Sequence, residues 1–225
     1  ICPACGQEAR VIRENDVEAL YCMNPDCAAK KIKAFTLFVS RDAMNIDGLS
    51  EMTLEKFIGC GFIREYADIF HLDRYRDEIV TLEGFGDKSY NNLMNSVEQA
   101  RHTTLPRVIY SLGIPNIGLS NAKMICKEYK NDLDKMLAAP AEELAAMDGV
   151  GPVIAGAFVD FFAQEKNKTA LELLLKEVEL EQETFSEEAL PLSGQSFVIT
   201  GSLNHFENRS ALKEKIEALG GKVTG

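Results

Sequence analysis

A five-residue turn recurs four times through the middle of this 225-residue chain, and it constrains the fold more than any other feature. The copies read Ile46-Asp47-Gly48-Leu49-Ser50, Leu82-Glu83-Gly84-Phe85-Gly86, Ile114-Pro115-Asn116-Ile117-Gly118 and Met147-Asp148-Gly149-Val150-Gly151. Their third positions, 48, 84, 116 and 149, lie 36, 32 and 33 residues apart, the length of two short helices with connections. The spacing predicts one unit, two helices and a tight turn, used four times.

The residue types have physical reasons. A turn between helices needs positive φ, and a missing Cβ lets a phosphate approach the main chain, so glycine is expected at the third and fifth positions. Asn116 still reaches the left-handed region, and Ser50 is placed to cap the next helix. The N–H groups of each turn and of the helix after it would then form an anion nest helped by the helix dipole. The residues named for such contact are Gly48, Leu49, Ser50, Gly84, Gly86, Asn116, Gly118, Gly149 and Gly151, with Lys88, Arg107 and Lys123 as nearby cations. Ala122 and Ala155 let the helices of the last two copies cross closely, whereas Leu54 and Tyr90 hold the first two further apart. Gly84→Val or Gly149→Val is expected to weaken such contact without unfolding. Helix pairs that use their turns for protein contacts are the alternative.

Four of the six cysteines crowd into the start as Cys2-Pro3-Ala4-Cys5 and Cys22-Met23-Asn24-Pro25-Asp26-Cys27, two pairs with sixteen residues between them. That layout predicts a four-cysteine zinc site, with Gly6 and Asn24-Pro25 making the turns. The segment between the pairs is too short and too polar to order itself, since domains below ~40 residues usually need metal or disulfides. Arg10, Arg13, Lys30, Lys31 and Lys33 are placed to offset the thiolate charge. Four thiolates leave no open coordination position, so the zinc would be structural. Two disulfides or four free thiols are the alternatives. Cys60 and Cys126 stand among apolar residues and are read as buried packing.

Leu171, Leu174, Leu175 and Val178 follow helical spacing and predict a last helix to about Glu179. Residues 160–190 hold nine acids against three lysines, and 181–191 read as an acidic linker. Beyond it, 196–200 predict a buried strand ended by Gly201, Leu212, Ile216 and Leu219 line a helix, and Gly220-Gly221 precede a second strand. A different small α/β unit is the alternative there.

Net charge is −11, so bulk attraction cannot hold a polyanion and any grip must be local. Residues 41–159 hold twelve basic and eighteen acidic residues, which predicts a shallow salt dependence. Residues 143–163, the most apolar stretch, contain Asp148 and Asp160 and predict no membrane span. An opening of Ile1-Cys2-Pro3, with neither initiator Met nor leader, predicts a piece of a longer protein. His71, His102 and His205 look isolated, and neither a Walker nor a Gly-x-Gly-x-x-Gly pattern is present.

The turns resemble the helix-hairpin-helix family, whose hairpins hold the DNA sugar-phosphate backbone from the minor-groove side without reading sequence. Thr200-Gly201 and Gly220-Gly221 resemble the start of a BRCT domain. A mainly α, multi-module chain follows: a zinc finger (1–33), four helix-hairpin-helix repeats (34–180), the linker (181–191) and a partial BRCT-like α/β tail (192–225). In that order the modules are similar to the carboxy-terminal half of the bacterial NAD-dependent DNA ligase family. The resemblance implies a cytoplasmic protein that clamps nicked double-stranded DNA, with adenylation and OB domains upstream. NAD and magnesium would act there, because the family's Lys-x-Asp-Gly lysine has no counterpart at Asn45 or Ala146, before Asp47-Gly48 and Asp148-Gly149. No catalytic residue is expected in this chain, which would be inactive alone. A non-enzymatic DNA-binding or scaffold subunit of a repair complex, or a protein-interaction adaptor, are the rival readings.

Overall fold

The computed structural model describes residues 1–14, 17–181, 192, 195–201, 206 and 208–224, which fall into two compact units, Ile1–Glu183 and Thr184–Gly225. Nearly all of the expected linker, residues 182–191, lies outside the described residues, as does His205.

In the first unit β1 (Ala9–Glu14) and β2 (Val17–Cys22) form an antiparallel ribbon with Ala9 opposite Cys22. Cys27 then leads directly into α1 (Ala28–Val39), whose Phe35, Phe38 and Val39 are buried. After α2 (Glu51–Gly59) comes a 3₁₀ stretch, Tyr66–Tyr75, kinked at His71, and then α3 (Arg76–Ile79), α4 (Asp87–Ala100) and β3 (His102–Thr103). The chain continues through α5 (Leu105–Ser111), α6 (Leu119–Glu128), α7 (Leu133–Ala138) and α8 (Ala141–Ala145). It closes with α9 (Pro152–Phe162), α10 (Glu165–Leu175) and β4 (Glu179–Leu180), the last parallel to β3. The unit is therefore mainly helical, as its 3.6-residue patterning predicted.

One apolar cluster runs through these helices from Phe35 to Leu174, with Phe38, Phe57, Phe70 and Phe158 fully buried. Phe38 stacks on Tyr66 with ring centroids 4.5 Å apart, which ties α1 to the 3₁₀ stretch. Among the described residues no helix is long and apolar enough to cross a membrane.

Three expectations are corrected. The last helix stops at Leu175, because the Glu179 amide donates to the Arg101 carbonyl at 2.6 Å instead of continuing the helix and the chain then pairs with β3. Cys60 is exposed, since it caps α2 just before Gly61, at φ 78°, turns the chain; Cys126 is buried as expected. The strand expected at 196–200 is only Ser196–Phe197, with Val198 exposed, because a two-stranded sheet leaves it little to be buried against.

The second unit contains β5 (Ser196–Phe197), α11 (Arg209–Ala218) and β6 (Lys222–Val223), with Phe197 paired parallel to Val223. Asn208 caps α11 by accepting from the Ala211 amide, and Gly220, at φ 87°, ends the helix.

Candidate nucleic-acid interface and metal centre

All four turns share one backbone signature, a left-handed third residue followed by an extended fifth. Their third residues are left-handed, with φ of 92° at Gly48, 87° at Gly84, 63° at Asn116 and 79° at Gly149. Their fifth residues are extended and serve as N-caps of α2, α4, α6 and α9. Gly86, Gly118 and Gly151 therefore need no positive φ, which corrects the expectation for that position. Nor does the interior demand glycine there: a Cβ at Gly86 or Gly151 would meet nothing within 4 Å.

The turns associate in two pairs. Between the first two, Lys56 Nζ donates to the Glu83 carbonyl at 3.1 Å and the Asp47 amide to Ser96 Oγ at 2.8 Å. Phe85 packs on Phe57, and Leu93 lies 3.4 Å from the Cβ position of Gly48. Between the last two, Asn121 Nδ2 donates to the Gly149 carbonyl at 3.4 Å, and Met124 packs under the same glycine. Lys56 and Met124 both stand eight residues past the left-handed residue of their own turn, so the same helix position reaches across each pair, by a hydrogen bond in one and by packing in the other. Ala122 and Ala155 are fully buried, and α5 on α6 and α8 on α9 are the most extensive helix contacts, as small residues at the crossing predict.

Turn amides divide into used and open. Those of Phe85, Ile117 and Val150 close their own turns on Leu82, Ile114 and Met147. Asp47's is taken by Ser96, and Gly118's is not open because it donates to Asn121 Oδ1 at 3.2 Å. Those of Gly48, Gly84, Gly86, Gly149 and Gly151 have no acceptor among the described residues. Ser50 Oγ caps α2 by accepting from the Thr53 amide at 3.2 Å, as expected.

Other named residues are placed differently. Leu49 is buried, so only its main chain can face a ligand. Arg107 is occupied: Nε donates to the Ala43 carbonyl at 2.8 Å and a terminal nitrogen to Arg41's at 2.6 Å, so it braces the approach to the first turn. Lys88 and Lys123 are exposed. His71 and His102 are not isolated, since His71 meets Glu177 at 2.8 Å and His102 meets Glu179 at 3.3 Å. Arg101 adds a bond to Glu177 at 3.1 Å and lies over the Phe70 ring. Burial opposes charge on Glu177, but His71 and Arg101 outweigh it and hold the carboxyl below its ordinary range.

The Sγ atoms of Cys2, Cys5, Cys22 and Cys27 lie within 4.8 Å of one another, with Cys2 and Cys27 3.9 Å apart and Cys5 and Cys22 3.5 Å apart. No pair is at the ~2.05 Å of a disulfide, whereas tetrahedral zinc at ~2.3 Å from each sulfur needs sulfur–sulfur edges of about 3.8 Å. The donor set fits structural zinc. Amides of Ala4 and Cys5 lower the Cys2 thiol to about 6, that of Gln7 lowers Cys5, and loss of water raises Cys22 to about 12. Four crowded thiols cannot all ionise without a cation to share them. Arg10 and Arg13, expected to offset that charge, instead pair with Glu8 and Glu18 on the ribbon.

A helix-hairpin-helix motif model matches residues 107–171, which contain the third and fourth turns. The chain is 54% identical over 224 residues to a DNA ligase of Lachnoclostridium phytofermentans and 50% identical to one of Ruminiclostridium cellulolyticum, each match covering 100% of this chain and 34% of the relative. A DNA ligase of Thermosipho africanus is 39% identical over 99% of this chain and 33% of its own length. The chain thus spans about a third of the relatives it matches, and it corresponds to the carboxy-terminal part of a DNA ligase.

Proposed function

We propose that this chain is the DNA-binding portion of an NAD-dependent DNA ligase and that it clamps a nicked duplex through its phosphates. The four turns act as helix-hairpin-helix repeats, and the two turn pairs engage the two strands. Phosphate oxygens accept from the open amides at Gly48, Gly84, Gly86, Gly149 and Gly151, at the positive ends of α2, α4 and α9. Ser50, Asn116, Gly118, Lys88 and Lys123 border these amides, and Leu49 contributes only main chain. The observation that carries the reading is that Gly86 and Gly151 have neither a conformational nor an internal steric reason to be glycine. An approaching backbone supplies that reason.

Zinc at Cys2, Cys5, Cys22 and Cys27 would fix the ribbon to the start of α1, and so to the apolar core, without entering the chemistry. Adenylation by NAD, magnesium and strand joining belong to adenylation and OB domains of a parent chain, and this portion alone is inactive. The second unit is the start of a BRCT-like domain. Asp47, Glu83 and Asp148 in three of the turns oppose phosphate, which makes amide geometry rather than net charge decide what binds.

The test is anisotropy of a labelled nicked duplex over a salt series, with the Gly86→Ala/Gly151→Ala double variant. Blocking two amide contacts is expected to cost roughly tenfold in affinity, with the chain still folded and its thermal stability lowered only by the poorer N-caps that alanine makes. Equal binding by the variant would dismiss the amide grip.

A further inference from the structure

Met52 and Val153 are 71% and 69% exposed, the two most exposed large apolar side chains among the described helices. Scattered apolar residues on a surface are ordinary. These two are not scattered. Each is the second residue of the helix that follows its turn, four residues past the left-handed glycine, Gly48 or Gly149. The same position in the other two turns is Lys88 in α4 and Ser120 in α6, both exposed. Each turn pair therefore carries one apolar and one polar side chain at this position.

Direction follows from helix geometry. Cα–Cβ bonds tilt toward a helix N-terminus, so a side chain in the first turn covers surface on the N-terminal side of its own Cα. Met52 and Val153 therefore lean toward the end of the helix where the open amides lie. A free phosphate offers an apolar side chain nothing to cover, whereas the deoxyribose beside each phosphate of a DNA strand presents C–H surface. A chain of net charge −11 also has reason to supplement its few cations with contacts that need no charge.

We infer that Met52 and Val153 pack against deoxyribose faces of the strands whose phosphates sit at the first and fourth turns, making those turns sugar-gripping and the second and third purely polar. This rests on the DNA-binding reading above and is continuous with its interface. An apolar contact releases no counterions, so its loss lowers affinity without changing how affinity depends on salt, whereas loss of a phosphate contact flattens that dependence.

The experiment is the nicked-duplex salt series on the whole chain with the Met52→Ala/Val153→Ala double variant, and with Lys88→Ala for comparison. Alanine suits an exposed first helical turn, so folding is preserved. Covering part of each side chain is expected to be worth roughly threefold to fivefold per position, so the double variant loses about tenfold or more at every salt concentration with a parallel slope. Lys88→Ala lowers the slope itself. Binding by the double variant equal to that of the unaltered chain overturns the sugar contact alone, as does a loss that vanishes with rising salt. If the unaltered chain fails to bind nicked duplex, the DNA-binding reading falls and this inference with it.

Discussion

The Met124 methyl group lies 3.0 Å from where a Cβ on Gly149 would stand, so the fourth turn is closed from beneath by the second helix of the third. Gly84 has the same left-handed conformation but nothing within 4 Å of its Cβ position. Alanine at either site meets left-handed strain of about 1–2 kcal/mol. At 149 it must also displace Met124 from a packed contact. Gly149→Ala is expected to lower the unfolding midpoint in urea by more than Gly84→Ala does, and equal losses would show that the Met124 contact is slack. Valine at these sites would be more strained still, contrary to the expectation that it leaves the fold intact, which makes Gly86 and Gly151 the cleaner probes of binding.

Metal removal should act on the ribbon first. Cys2 and Cys27 are buried while Val11, Leu20 and Tyr21 on the ribbon are exposed, so the β1–β2 hairpin has little apolar burial of its own. Structural zinc contributes on the order of 10–16 kcal/mol of apparent binding energy in small domains. Elemental analysis should find about one zinc per chain, as a four-thiolate site holds. Chelation, or Cys22→Ser, should collapse the amide shifts of residues 2–27 while the helical core from α2 onward keeps its cooperative unfolding. Persistence of those shifts after chelation would reject zinc as the organiser.

The third-position residues were legible in the sequence because one backbone requirement, positive φ, selects glycine or asparagine whatever surrounds it. The cysteine cluster was legible because chelation fixes both residue type and local spacing. The bracing contacts of Arg107 were not legible because its carbonyl partners at Arg41 and Ala43 are more than sixty residues away in sequence and leave no local trace. Leu49 sits in a turn yet belongs to the core, a fact set by α4 packing against that turn rather than by its neighbours. The pairing of the turns rests on Lys56, Ser96, Asn121 and Met124, ordinary helix residues until the tertiary fold brings them to another copy. Fifth-position glycines were expected at positive φ, and instead they take an extended backbone as N-caps, because the chain must straighten there to enter the next helix.

Glu177 joins His71 on the 3₁₀ stretch to Arg101 after α4, so it fastens the end of the helical unit across 106 and 76 residues of sequence. Its carboxyl is held below the ordinary glutamate range, so the stabilisation is fully present above that range and is lost as pH falls through the lowered value. Glu177→Gln leaves Arg101 without a half-buried countercharge and should cost about 1–2 kcal/mol at neutral pH. Urea unfolding repeated at acid pH should show the difference shrinking toward zero. A difference independent of pH would mean that the side chain acts by packing and not by charge.

Gly221 makes the sharpest steric demand in the second unit. A Cβ there would come within 2.7 Å of both Ile216 Cγ2 and Phe197 Cε2, the side chains that join α11 to β5. No positive φ is involved, so the requirement is for space alone, and the unit has little core with which to absorb a shift because Ile216 is its one buried large apolar residue among those described. Gly221→Ala should therefore push the Phe197 ring aside, weaken the Phe197–Val223 pairing and raise amide exchange in α11. An overpacked methyl typically costs 1–3 kcal/mol, a large share of what so small a unit can hold. Because Gly221 belongs to a separate compact unit, the unfolding midpoint of residues 1–181 should stay where it is. Unchanged exchange in α11 would show that Phe197 and Ile216 do not form the contact on which the second unit depends.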